Sequence, residues 1–155
     1  MTRIEFDEIF SSNVNNKTKS KDSELLEIYA YLLEHENFDS DWWNDHHGTN
    51  DLMYIIRNCS TNIFEKIKTD IFNWTAYQIE LFAQTLNSND FKDFKVNERI
   101  ELYLHLFEIQ RTDFDLYDAF YYGRNINLSL GSNDLLIRLA DRLHYESIEC
   151  LLNSK

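Results

Sequence analysis

The chain has 155 residues, of which 43% are hydrophobic and 15% aromatic, and its formal net charge is −12. That length predicts one domain able to bury roughly two-thirds of its unfolded surface, and the apolar content argues against a disordered chain. The charge repels a phosphate backbone and an anionic bilayer surface, which weighs against nucleic-acid and membrane binding and favours a basic protein partner.

The first residues leave two readings open. "IEFDEIF" fits a short helix through Phe6, Ile9 and Phe10, or a short strand, and any strand is expected only within residues 2 to 7. The polar stretch "SSNVNNKTKSK" reads as a linker, so residues 1–21 are expected to be partly mobile. From there the helical period dominates. "DSELLEIYAYLLEHE" places Leu25, Ile28, Tyr29, Leu32 and Leu33 on one face, and "TNDLMYIIRN" predicts a short helix capped by Thr49 or Asn50. "NIFEKIKTDIF" spaces Ile63, Ile67 and Ile71 at i, i+4, i+8, and "NWTAYQIELFAQTL" opens with a Thr75-x-x-Gln78 capping box. "VNERIELYLHLFEI" aligns Ile100, Tyr103, Leu104 and Phe107, and "DFDLYDAFYY" aligns Phe114, Tyr117, Phe120 and Tyr121. The last helix starts at a Ser132 cap, carries Leu135, Leu136, Leu139, Leu143, Ile148, Leu151 and Leu152, and is expected to break near Tyr145.

These segments predict an all-α fold: a single domain over residues 1–155, built as an irregular helical bundle or a short stack of helix pairs, with about seven helices. Three helices share a phrase, Leu26-Glu-Ile-Tyr, Ile79-Glu-Leu-Phe and Ile100-Glu-Leu-Tyr, at offsets of 53 and 21 residues. A solenoid would keep a constant period, so the likeness reflects one packing problem solved three times. With no proline and three glycines, the chain lacks the material for Gly-rich phosphate loops or for the many tight turns of a β-sandwich. Cys59 and Cys150 sit in no CxxC or zinc spacing and read as reduced thiols. The acidic start "MTRIEFDEIF" has no apolar signal core, and no apolar run approaches the ~18 residues of a membrane span. A soluble, cytoplasmic protein is therefore expected.

Chemistry concentrates in "DWWNDHHGTND", residues 41–51. Asp45-His46-His47 spells the triplet of the DHH phosphoesterase family, but that family's further aspartates at strand ends of a larger α/β domain have no counterpart here. His46 and His47 carry suitable ligands for a divalent metal, yet consecutive side chains diverge, and a solvated loop whose histidines contact water or a neighbouring carboxylate is the ordinary explanation. Glu101 with His105 and Asp141 with His144 have helical spacing, but the Glu-x-x-His pairs of a di-iron bundle are missing, as is any G-x-S-x-G elbow. No cofactor or metal and no enzymatic activity is expected.

Charge and aromatic patterning say more. No lysine or arginine lies between Lys21 and Arg57, a stretch rich in acids that includes Glu34, Glu36, Asp39, Asp41, Asp45 and Asp51. Solvated helices ordinarily interleave signs to gain i,i+4 pairs. This one forgoes them, which a cationic partner would relieve. Trp42 and Trp43 lie inside the run, either as an interface anchor or as a clamp holding a loop on the helices. A second candidate surface is "RTDFDLYDAFYYGRN", where Asp113, Asp115 and Asp118 alternate with aromatics including Tyr121 and Tyr122. Its alternative is a helix with its aromatic face in the core.

From Trp74 to Arg124 the chain resembles small, acidic, all-helical bacterial immunity proteins of polymorphic toxin systems. The likeness rests on "NWTAYQIELFAQTL", "ERIELYLHLFEI" and the acidic-aromatic helix that follows. It is one of texture, and no individual binding residue carries over. Such proteins are typically encoded beside their toxin and bind it tightly, and those that block nucleases are often acidic because they cover or mimic the nucleic-acid path. The resemblance implies a stoichiometric inhibitor that occludes the active site of a basic cognate toxin domain, for example a nuclease. The rival expectations are a helical adaptor or scaffold for a basic protein or peptide, and a metal-dependent enzyme using His46 and His47.

Overall fold

Thr2 decides how the chain starts. Its hydroxyl accepts the Glu5 amide and the Glu5 carboxylate accepts the Thr2 amide, a reciprocal capping box that opens helix α1, Arg3–Phe10. Phe6 and Phe10, one turn apart, face the core with ring centroids 4.9 Å apart. In the computed structural model, which describes residues 1–113 and 127–154, α1 is followed by α2 (Ser23–His35), α3 (Ser40–Asn44), α4 (His47–Arg57), α5 (Ile63–Asp70), α6 (Ala76–Leu86), α7 (Val96–Leu106), α8 (Asn133–Arg142) and α9 (Ile148–Asn153). Short 3-10 turns lie at Ile71–Asn73, Asn89–Phe91 and Leu128–Leu130. Among the described residues there is no strand, so the fold is all-α, as the periodicity predicts. The described helices outnumber the seven expected because α1 forms, α3 emerges from the tryptophan stretch and the last helix is broken, while the helix expected over 114–121 lies outside the described residues. That break falls where expected, with His144 in the left-handed region at φ 62°.

Two local expectations need correction. Residues 11–21, read as a mobile linker, are tied to the core. The buried Asp70 carboxylate accepts from the Thr18 hydroxyl (2.5 Å), the Lys19 amide (2.9 Å), Asn73 (3.2 Å) and the Trp74 indole (2.8 Å). Arg3 donates to the carbonyls of Thr18 and Ser20, and the Lys17 amide donates to the Tyr29 hydroxyl. A buried carboxylate is tolerated only when its lone pairs are filled, and here the polar segment fills them. Secondly, α4 starts earlier than Thr49 or Asn50. Its N-cap is His46, held at φ 69°, and no side chain caps it.

α4 packs against α2, α3 and α6, α6 packs on α7, and α7 packs on α5 and α8. An aromatic column crosses the core from Phe6 through Tyr29 and Trp74 to Phe82, with successive ring centroids 6.3, 5.0 and 5.6 Å apart. Leu26, Ile79 and Ile100, the first residues of the shared phrase, are all fully buried, which is the common packing problem behind it. Arg99 is buried without a carboxylate. Its guanidinium instead donates to the carbonyls of Leu86 (3.0 Å), Ser88 (2.8 Å), Phe91 (2.6 Å) and Phe94 (3.1 Å). Two of these follow from the end of α6, where the helix leaves carbonyls unpaired and its dipole is negative. Burial pulls the Arg99 pKa down to about 10, so it remains a cation at neutral pH.

Candidate functional site

The acidic run folds into the end of α2, all of α3 and the start of α4. Its carboxylates separate by where the helical period sends them. Glu36 points inward, is 4% exposed, and accepts from Asn15 (2.6 Å) and Gln78 (2.7 Å). It is a structural carboxylate, so the expectation that it meets a partner is corrected. Asp51 is partly buried and accepts the Tyr31 hydroxyl at 2.7 Å, which also directs it inward. Asp39 caps α3 by accepting the Asp41 amide at 3.1 Å, yet stays exposed. Glu34, Asp41 and Asp45 are exposed as well.

The two tryptophans diverge, as adjacent helical positions must. Trp43 is 2% exposed and its indole N–H donates to the His35 carbonyl at 3.1 Å. Gly48 leaves room for it, since a Cβ there would lie 2.5 Å from the ring. Trp43 is therefore core, and its candidacy as a partner contact is corrected. Trp42 is half-buried and central to a cluster of rings. Its indole N–H donates to the Tyr31 hydroxyl at 3.3 Å. His35 lies parallel to Tyr31, with centroids 3.9 Å apart, and parallel to Trp42 at 6.0 Å. His47 stacks on Trp42 at 5.1 Å, and Phe38, 46% exposed, meets Trp42 edge-on at 5.5 Å.

Sequence reading missed Tyr31, His35 and Phe38 as part of this cluster. The signal was present: Tyr31, His35, Phe38 and Trp42 fall at i, i+4, i+7 and i+11, a stripe that continues across the gap between α2 and α3.

Among the described residues, ion pairs join Arg3 to Asp7, Lys66 to Asp22 and Glu24, Arg111 to Asp113, Arg138 to Glu108 and the Met1 amino group to Glu27. No carboxylate from 34 to 51 takes part in one. Glu34, Asp39, Asp41 and Asp45, exposed on the elements that carry the aromatic cluster, thus have no ion-pair partner among the described residues.

The chain matches no known family, no curated protein and no solved structure.

The second candidate surface is only partly within the described residues. Asp113 is held by Arg111 in a two-point contact (2.9 and 2.5 Å), and that hydrogen-bonded guanidinium keeps its carboxyl below the usual range. Arg111 also donates to the Phe72 and Trp74 carbonyls, so Asp113 is part of a brace. Asp115, Asp118, Tyr121 and Tyr122 lie outside the described residues. His46 and His47 are exposed, and no described group of three or more His, Cys, Asp or Glu is arranged to hold a metal. No described helix is long and apolar enough to cross a membrane. A groove of about 410 Å³ between α5 and α7 is lined by Phe64, Glu65, Lys68, Glu98, Glu101 and His105 among others. Glu101 there already accepts the Ser132 amide at 2.7 Å.

Proposed function

We propose that this protein is a stoichiometric inhibitor of another protein, of the immunity type, that occludes the active site of a basic toxin domain such as a nuclease. One observation carries the reading: four exposed carboxylates without ion-pair partners among the described residues, Glu34, Asp39, Asp41 and Asp45, lie on the same short run of chain as a pre-arranged aromatic cluster around Trp42. Repulsion among like charges costs the free protein stability, and a cationic surface relieves it on binding. Acids of this kind steer encounter and fix register, while the half-buried ring at the centre supplies area that is desolvated on docking. Trp42 is already oriented by its bond to Tyr31, so little side-chain freedom is lost when it is covered. Such an inhibitor needs no catalytic group of its own.

The test is to mix the protein with the basic protein encoded by the adjacent gene and to measure that protein's activity and its binding. The reading predicts a one-to-one complex at nanomolar concentration and loss of activity at equivalence. No complex at micromolar concentration would overturn it. Binding without loss of activity would favour a helical adaptor instead.

A further inference from the structure

The groove between α5 and α7 lies between two helices that point the same way. Lys95, just before α7, donates to the carbonyl of Thr61, just before α5, at 2.9 Å, and its ammonium lies 5.9 Å from the Phe64 ring centroid. At the other end Lys68 on α5 is near His105 on α7: burial first, and then the Lys68 charge, hold the imidazole below its ordinary pKa. His105 is therefore neutral at pH 7.5, with one ring N–H to donate. The groove's volume of about 410 Å³ is that of a small-molecule cleft, which runs from roughly 300 to 1,000 Å³.

Its lining is sorted by charge. Glu65 and Glu98 stand toward the Lys95 end, Lys68 and His105 toward the other, over an apolar floor of Phe64 and Leu102. Glu101, between the ends, already accepts the Ser132 amide at 2.7 Å. Glu65 and Lys68 have the i,i+3 spacing of an ordinary helix-surface pair. Yet neither of them, nor Glu98, nor His105 enters an ion pair among the described residues. Opposite charges thus line one groove without meeting across it, and a dipolar ligand would satisfy both ends at once. The ends are three residues apart on α5 and seven on α7, or about 5 to 10 Å along the helix axes. A single α-amino acid is too short for that separation, whereas an extended dipeptide spans about 7 Å.

We infer that the α5–α7 groove is a binding site for a short zwitterionic peptide of dipeptide size. Its ammonium is held by Glu65 and Glu98, its carboxylate by Lys68 and His105, and its apolar side chain lies on Phe64 and Leu102. This site is separate from the Trp42 cluster and does not depend on the docking reading.

The experiment titrates three probes into the protein at pH 7.5: L-alanyl-L-leucine, its N-acetylated form and its C-terminal amide. Binding is followed by NMR at the Leu102 methyl and His105 ring resonances. The expected result is a dissociation constant of about 1 mM or tighter for the free dipeptide. Each blocked probe should bind about tenfold more weakly, because one charge-assisted contact is gone. K68M should abolish the preference for the free carboxylate and leave the preference for the free ammonium, and E65Q/E98Q should do the reverse. These positions are exposed or half-buried and outside every ion pair of the described residues, so the variants should stay folded. The three-probe comparison on the parent protein stands without them. No shift of Leu102 and His105 at about 10 mM dipeptide overturns the site. Equal affinity for all three probes, or preferences that survive in both variants, overturns the assignment of its ends.

Discussion

The Tyr31 hydroxyl donates to Asp51 at 2.7 Å while it accepts the Trp42 indole N–H at 3.3 Å. This relay ties α2, α3 and α4 together behind the aromatic cluster. Burial, with the Asp51 carboxylate added to it, pushes the Tyr31 phenol well above its ordinary range, so it remains a donor at any physiological pH. Tyr31→Phe should cost about 1 kcal/mol of stability, since the indole N–H loses its acceptor. Asp51→Asn should change the association rate with a basic partner by less than about twofold, because that carboxylate is already engaged. Chemical denaturation and stopped-flow binding check the two effects.

Trp42 and Trp43 should separate cleanly. Trp43→Ala empties a closed core site and should destabilise the protein by about 3–5 kcal/mol. Gly48→Ala forces a methyl group against the Trp43 ring and should cost about 1–3 kcal/mol. Trp42→Ala should cost less in stability, and it should speed dissociation of the partner at least tenfold if the ring is an anchor of ~1.4 kcal/mol or more. Equal stability losses for the two alanine variants would refute this division.

Arg99 should be among the least replaceable residues of the chain. Arg99→Met leaves four carbonyls without their donor and should destabilise by about 3 kcal/mol or more. Lysine restores the charge without the planar fork that reaches several carbonyls at once, so Arg99→Lys should recover only part of that loss. Melting curves of the two variants give the comparison.

Stability should fall on acidification in two separate windows. Burial, with Lys68 nearby, holds the His105 pKa below its ordinary value, so the unfolded chain takes up that proton first. The His105 contribution is full above about pH 6.5 and declines as pH falls through the lower folded value. Glu24 behaves in the carboxylate sense: hydrogen bonds from Ser60 and Lys66 hold its pKa down. Its contribution is full above about pH 4.3 and is lost below that. His105→Gln should flatten the first limb of melting temperature against pH, and Lys66→Met the second.

The helices were legible because burial follows a 3.6-residue period. Thr75 with Gln78, the Ile63–Ile67–Ile71 stripe and the break before Ile148 were all visible in the sequence. What sequence concealed was long-range pairing. Nothing near Thr18 signals that Asp70, 52 residues away, would hold the intervening polar segment against the core. Nor does the run of acids reveal that Glu36 turns in to Gln78 while Glu34 turns out. The start of α4 was misplaced for a local reason: His46 caps it in a left-handed conformation that is uncommon outside glycine, and no side chain caps the helix.

The most direct test of the docking account is the association rate of the protein with a basic protein, taken from the product of the adjacent gene where that product is basic. It should be measured beside a Glu34→Gln, Asp39→Asn, Asp41→Asn, Asp45→Asn variant at about 0.05 and 0.5 M salt, where the Debye length shortens from roughly 14 to 4 Å. The account predicts that salt slows the parent by one to two decades, and that the variant is equally slow already at low salt while remaining folded and no less stable. A variant that associates as fast as the parent at low salt would contradict the account and place the partner on another face of the molecule.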